Sequence, residues 1–446
     1  MNITVTHNLE ILSKSCPFPL YIVGGYVRDS LAGFGVNASD IDVCAPVSCE
    51  KFVSAAQKAE AEILSVYKNT GTVKLRLGGE SYEFASFRSD KYVRGEHSPF
   101  ETFFTDDIIL DAKRRDFKCN AVYYNIGERK ICDPLGGVND IKNRVISTVA
   151  PAEKVFGEDG LRLMRLARQA AQLGFSPDAE CAEGAKKNSS LVSDVSKERI
   201  FSELLAILTA DGRYGLKYAQ YRGLQILDKT GVLDFILPEL TCGRGMKQPP
   251  EYHSHDVLEH SLRSVKYADE SIRLAALLHD AGKPVRMTAT GSYRGHEISG
   301  AEICGKILKR LKAPKRLTEE AVLLCSLHMY DLNLQAKENK IRKLIVENNP
   351  LFDKLLLLKQ ADYSACKDDL SPAPCAVKWR KIYEKMIEEN APFTVKQLKI
   401  KGDELISCGV PAEKVGKILK TLLLSCAYEP KLNDGEYLKK AALKLV

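Results

Sequence analysis

The 446-residue sequence is short of several features, and each absence narrows its class. No apolar run reaches the length of a membrane span, which argues against a helical membrane protein and for no membrane partner. The opening residues, MNITVTHNLEILSKS, lack a basic stretch followed by an apolar one, so no secretory leader is expected. The thirteen cysteines stand singly, form no C-x-x-C pair and are odd in number. A closed disulfide framework is therefore disfavoured, and reduced thiols in a cytoplasmic protein are the expectation. There is no internal repeat and no low-complexity tract. Charge of neither sign dominates: 65 Lys and Arg stand against 58 Asp and Glu, a formal net charge of +7 that suits a polyanionic partner without requiring one. The length is too great for one ordinary core, and several domains are expected.

What is present begins with Tyr21 to Asp42, YIVGGYVRDSLAGFGVNASDID. Tyr21, Ile22 and Val23 read as a strand, ended by Gly24 and Gly25. A helix starting near Val27 is predicted next. Without side chains, the two glycines let backbone N–H groups approach a triphosphate, and the helix N-terminus adds its dipole. Arg28 supplies a fixed positive charge there. Asp40 and Asp42 alternate with Ile41 and Val43, so on a strand both carboxylates leave the same face. Two like charges that close call for a cation, and oxygen ligands of this kind suit Mg²⁺. Gly-Gly alone marks a turn and D-x-D alone is common. The two in this order and spacing point to nucleotidyl transfer.

GGYVRD followed by DID resembles the class II template-independent nucleotidyltransferases, the bacterial CCA-adding enzymes of tRNA and their poly(A) polymerase relatives. Three further blocks agree in order: SYEFASFRSDKY with Glu83 and Arg88, RRDFKCNA from Arg114 to Ala121, and GEDGLRLMRLARQAAQLGF from Gly157 to Phe175. The resemblance implies that Asp40 and Asp42 bind Mg²⁺, that Glu83 is the third active-site carboxylate, and that Gly24, Gly25, Arg28, Arg115 and Asn120 belong to the nucleotide site. It further implies that Asp159 and Arg162 hydrogen-bond the edge of an incoming cytosine or adenine, so that protein replaces template. A carboxylate accepts from the exocyclic amine that C and A share, and a guanidinium donates to ring acceptors. By their own spacing, Asp159, Arg162, Arg165 and Arg168 form a polar stripe along one helix face, with Arg165 and Arg168 set to meet phosphate or flank the base. The chain departs from the family pattern at Lys118, where Thr is usual, and at Ala85 and Ser86.

A second constellation follows a Gly/Pro-rich segment, Thr241 to His255. VLEHSLRSV carries His260, RLAALLHDAGKP carries His279 and Asp280, YRGHE carries His296, LCSLHMYDL carries His328 and KQADYSA carries Asp362, with His253 and His255 just upstream. This order resembles the HD metal-dependent phosphohydrolases. It implies that His260, His279, Asp280 and Asp362 hold one metal ion and that His296 and His328 help to hold a second. Such a site accepts a divalent transition metal or Mg²⁺. Beyond it, TVKQLKIKGDELISCGVPAEKVGKILKTLLLSC resembles the family's tRNA-gripping tail, with Pro411 read as a first helical residue and Lys414, Lys417 and Lys420 facing RNA.

The expected fold is α+β: a nucleotidyltransferase head with a small sheet over residues 1–146, a helical neck over 147–240, an HD-type helical domain over 241–370 and a helical tail over 371–446. Strand-like TVKLRL, YEFASF and AVYYNI mark the head, and KERIFSELLAIL marks a neck helix. The expected function is CCA addition to tRNA from CTP and ATP. An A-adding or poly(A) enzyme is the first alternative, and HD-type phosphohydrolysis is the second. The Ser89–Lys113 segment matches the loop needed for the switch to ATP, against a CC-only enzyme. Oligomeric state cannot be read from the sequence.

Overall fold

The computed structural model describes residues 3–35, 41–91 and 100–446. The chain divides into two compact units, Met1–Pro238 and Glu239–Val446.

In the first unit, nine strands carry the head: β1 (Tyr21–Val23), β2 (Ile41–Ala45), β3 (Glu62–Tyr67), β4 (Thr72–Leu77), β5 (Glu80–Ser86), β6 (Arg88–Lys91), β7 (Glu101–Phe104), β8 (Tyr123–Asn125) and β9 (Lys130–Cys132). Seven of them form one sheet in the order β3-β4-β5-β2-β1-β8-β9, and β6 pairs with β7 apart from it. Within the seven-stranded sheet only β2 and β5 run parallel, and their register sets Asp42 beside Glu83. Alternation explains these strands. In β2, Ile41 and Val43 are buried while Asp42 between them is exposed; in β4, Val73, Leu75 and Leu77 point inward and Lys74 and Arg76 outward. The apolar face is covered by the helix Cys49–Lys58, whose Phe52 stacks on Phe84 of β5 with ring centroids 3.7 Å apart.

The helix after the glycine pair runs Gly25–Ala32 and begins two residues earlier than the sequence predicts. Gly24, at φ 78°, breaks the strand within one residue, so Gly25 already has helical geometry. After the head the unit is almost wholly helical. KERIFSELLAIL forms the helix Lys197–Leu208, and Leu161–Leu173 buries Leu163, Met164, Leu166 and Ala170 along one side.

The second unit is helical throughout its described residues. Its apolar interior includes Trp379, fully buried and stacked against Phe352. Pro411 is the N-cap of the helix Ala412–Tyr428 rather than its first residue, because its ψ of 136° is extended. Lys414, Lys417 and Lys420 are exposed on that helix. No described helix is long and apolar enough to cross a membrane.

Candidate functional site

In the first unit, the end of β1 and the start of the next helix open onto a cavity of about 430 Å³. Of the residues singled out from the sequence, Gly24, Gly25, Arg28, Asp42, Asn120, Arg115, Asp159, Arg162, Arg165 and Arg168 all line it. Asp40 lies outside the described residues. Glu83 does not line the cavity; it stands beside Asp42 on the same sheet face and pairs with Lys74 at 3.3 Å. Eight arginines and three aspartates line the cavity, a balance suited to a polyphosphate. The close approach of β1 to β2 needs glycine: a Cβ on Gly24 would lie 3.1 Å from Asp42 Oδ2, in a left-handed backbone conformation.

A polar network sets the arginines. Arg28, buried, donates to Asp29 Oδ1 at 2.8 Å and to Asn120 Oδ1 at 2.7 Å. Asn120 donates in turn to Asp116 Oδ1 at 3.0 Å and to Gln169 Oε1 at 2.9 Å. Arg165 closes the network with a fork onto Asp116 Oδ2 at 2.8 and 2.6 Å. Burial raises the pKa of Asp116, but Arg165 and Asn120 outweigh it and hold the carboxyl far below the usual range. A second buried carboxylate, Asp111, accepts from Arg114 at 2.7 Å, Arg115 at 3.1 Å and Tyr123 at 2.6 Å. Burial opposes its charge, yet Arg115 and Arg114 pull its pKa down to about 2.

The predicted stripe is not uniform. Arg162 is only 4 % exposed and donates to Val155 O, Glu158 Oε2 and Arg114 O at 2.9 to 3.0 Å, so the helix Leu161–Leu173 turns it against the head. Arg165 and Arg168 are less buried, and Arg168 donates to Glu203 Oε2 at 2.6 Å. Asp159 caps the helix start by accepting from Leu161 N at 2.9 Å. Sequence reasoning did not assign Asp116, Asp111, Gln169 or Arg213 to the site. Gln169 had a readable signal, since it lies four residues after Arg165 and meets the same carboxylate.

In the second unit, three helices bring His260, His296 and Asp362 to one cluster with His279, Asp280 and His328 from the turns that end two more helices, all but Asp362 nearly or fully buried. His260 Nε2 is 3.0 Å from Asp362 Oδ1 and 3.3 Å from His279 Nε2; His296 Nε2 is 3.1 Å from both Asp280 Oδ1 and His328 Nε2. His279, His296 and His328 each direct Nδ1 at a backbone carbonyl, of Ala276, Tyr293 and Cys325, at 2.8, 2.8 and 2.6 Å. In the neutral ring, an Nδ1–H held this way leaves the Nε2 lone pair facing inward, as metal ligation requires. Glycine makes the packing possible, for a Cβ on Gly282 would fall 2.2 Å from His296 O.

Lys283 Nζ, 2.6 Å from Asp280 Oδ2 and 2.7 Å from Gln248 Oε1, is a resident positive charge on one side of the cluster. Burial opposes protonation of His279, but Asp280 and Asp362 lift it to about 10, while burial lowers His260 and His328. Neither buried oxygen of Asp280 makes a well-formed hydrogen bond, despite the close charges around it. Inward lone pairs, carboxylate oxygens without aligned donors and two ligand groupings within 4.8 Å fit a divalent cation. In the head, the exposed oxygens of Asp42 beside a glycine cradle fit a hard cation shared with phosphate.

The chain matches known protein families in three regions. Residues 20–147 match the Poly A polymerase head domain, 174–242 the Probable RNA and SrmB- binding site of polymerase A, and 252–363 the HD domain. The A-adding tRNA nucleotidyltransferase of Deinococcus radiodurans is 29% identical over 432 residues, 91% of each chain. The Multifunctional CCA protein of Hahella chejuensis is 30% identical over 342 residues, covering 73% of this chain and 76% of that one. The solved structure of the Bacillus stearothermophilus CCA-adding enzyme in complex with CTP has the same fold, with a TM-score of 0.68 at 21% identity over 99% and 98% of the two chains. With a poly(A)-polymerase-type head, an HD domain and a relative of this identity matched over three quarters of its length, the chain belongs to the CCA-adding tRNA nucleotidyltransferase family of enzymes.

Proposed function

We propose that the enzyme adds CCA to tRNA 3′ ends from CTP and ATP, releasing pyrophosphate at each step. The observation that carries this reading is the arginine-rich cavity on which Asp42 and the Gly24–Gly25 turn converge. Asp40 and Asp42 would hold two Mg²⁺ ions, which would neutralise the triphosphate and make the RNA hydroxyl a better nucleophile. The residues of the chain do the positioning. The N–H groups at Gly25 and the guanidinium of Arg28 hold the triphosphate, with Arg115 and Asn120 beside them. Asp159 and Arg162 select the base by the amine and ring nitrogen that C and A share, and Arg165 and Arg168 meet phosphate or flank the base. The RNA 3′-hydroxyl, assisted by Glu83, attacks the α-phosphate; the bond to the β-phosphate oxygen breaks and pyrophosphate leaves.

In this reading residues 1–146 are the catalytic head, 147–240 select nucleotide and bind RNA, 241–370 form the HD metal-binding domain and 371–446 bind tRNA. The setting is the cytoplasm. The HD cluster would hold a divalent transition metal or Mg²⁺, whose chemistry is to generate hydroxide near neutral pH for phosphoester hydrolysis.

One observation favours a second reading. The Deinococcus radiodurans relative, named as A-adding, matches over 91% of both chains, farther than the Hahella chejuensis CCA protein does. The test is incorporation into two tRNA transcripts, one lacking its 3′ end and one ending in CC, with CTP and ATP separately and together. Growth of the first by C, C and A, then arrest, supports CCA addition. Extension of only the second, by a single A, supports the A-adding reading, and unlimited A addition to either would replace both with poly(A) synthesis.

A further inference from the structure

Of the eight arginines that line the head cavity, seven stand within ion-pair distance of Asp29, Asp111, Asp116, Glu158 or Glu203. Arg199 is the eighth. It is exposed in the first turn of the helix Lys197–Leu208, and among the described residues its guanidinium has no hydrogen bond and no ion pair.

The local partner that its spacing offers is taken. Glu203 lies four residues on along the same helix, the distance at which Arg and Glu meet, yet it accepts from Arg168 at 2.6 Å instead. Glu198, adjacent in sequence, leaves the helix on a different side. Nor does Arg199 serve the helix itself, because the first turn is where the helix dipole favours anions, and Lys197 already sets a cation there. A free cation among other guanidiniums is also repelled by them. An anion entering the cavity offsets both costs.

The position of Arg199 says which anion. The helix Lys197–Leu208 follows Leu161–Leu173 in the same direction: a Cβ on Gly160 would fall 2.3 Å from Leu191 O, Arg168 reaches Glu203, and Ile207 and Ala171 both close on Gly223. Arg199, about 6 Å before Glu203, is therefore level with Arg165 and beside the part of the cavity assigned to the base. In the nucleotidyl-transfer reading, on which this step rests, the triphosphate is held from the head by Gly25 and Arg28. The phosphate left for a cation of the neck is that of the RNA.

We infer that Arg199 is an RNA-binding residue that takes the last phosphodiester of the RNA 3′ end as it enters the cavity. The planar guanidinium fork matches two phosphate oxygens, and the contact makes and breaks no covalent bond.

The test is equilibrium binding of a labelled tRNA transcript lacking its 3′ end, without nucleotide or divalent cation, over a range of monovalent salt. For Arg199→Gln the plot of log Kd against log salt should be shallower by about 0.7, which makes binding about fivefold weaker at about 0.1 M salt. Arg199→Lys keeps the charge and should keep the parent's slope. In steady-state incorporation, the KM of Arg199→Gln for tRNA should rise by about the same fivefold, with the KM for nucleotide unchanged. An unchanged slope in Arg199→Gln overturns the inference. So does a rise in the nucleotide KM with tRNA affinity intact, which would make the triphosphate its ligand. A urea midpoint equal to the parent's separates a lost contact from a lost fold. A parent that binds tRNA but incorporates nothing removes the functional reading alone, since the salt slope still decides the role of Arg199; a parent that binds no tRNA overturns both.

Discussion

Asp42 and Asp280 are the same functional group in opposite surroundings. Asp42 stands exposed on a sheet face, with apolar neighbours behind it and a rim of arginines whose own pairings, Arg199 apart, are internal. Asp280 is 1 % exposed and already enclosed by His279, Lys283 and His296. The first arrangement stands open to a substrate. The second has assembled its charges during folding. A site of the first type should be sensitive in turnover and tolerant in stability, and a site of the second type the reverse.

Asp42→Asn gives the sharpest test of that contrast. Incorporation should fall by about 10³-fold, with stability changed by less than about 0.5 kcal/mol, because the carboxylate is exposed and acts on charge developing at the substrate. A single-turnover assay paired with urea denaturation checks both halves, and a variant that unfolds early would break the comparison.

Asp280→Asn should behave in the opposite way. Leaving Lys283 and a protonated His279 buried without their counter-charge should cost about 3 kcal/mol, seen as a lower unfolding midpoint of the metal-free protein. Nucleotide incorporation by the folded protein should stay within about twofold of the parent, because the cluster belongs to a separate compact unit and shares no residue with the head site.

Asp116→Asn probes a part of the head that resembles the HD cluster in its burial. It removes the anchor of Arg165 and weakens that of Asn120, so a loss of about 2 to 3 kcal/mol in stability is expected. A rise in the KM for nucleotide should accompany it. An effect on kcat alone would show that the network acts on chemistry rather than on binding.

The expected effects of pH run in opposite directions. Asp111 has a folded pKa depressed to about 2 from 3.8, so its contribution is present above about pH 4 and is lost as pH falls toward 2, about 2 kcal/mol in all. His279 is raised to about 10 from 6.5; its contribution is full below pH 6.5 and is lost as pH rises through 10. Stability measured across both ranges in metal-free protein should show acid lability in both units, because Asp280 and Asp362 are also held far below the usual carboxylate range, and alkaline lability from His279 in the second. Since His279 must shed its proton to become a ligand, metal binding near neutrality should release protons, measurable by calorimetry in buffers of different ionisation enthalpy.

The sequence made the candidate ligands of both sites legible more readily than their supports. Gly24, Gly25 and Asp42 could be read because a turn and a period-2 strand are local patterns, and the HD residues because their order along the chain is distinctive. Asp116 could not be ranked above its neighbours, since its importance comes from partners 49 and 53 residues away that only the tertiary fold assembles. Periodicity placed Arg162 on a stripe with Arg165 and Arg168 but could not show that the head would bury it. The carbonyls behind His279, His296 and His328 are backbone groups and leave no mark in the sequence.

The register of β2 against β5 has one more consequence. Asp42 is held between Ile41 and Val43, which are essentially inaccessible, and a slip of one residue would exchange carboxylate for core. The proposed catalytic position is therefore not an addition to a finished scaffold. It is an alternate tooth of the same strand that closes the hydrophobic interior, so partial melting of the sheet cannot leave a weakly active head. Nucleotide incorporation should vanish on heating in step with the aromatic signal of the Phe52–Phe84 stack, making turnover itself a sensor of cooperative unfolding.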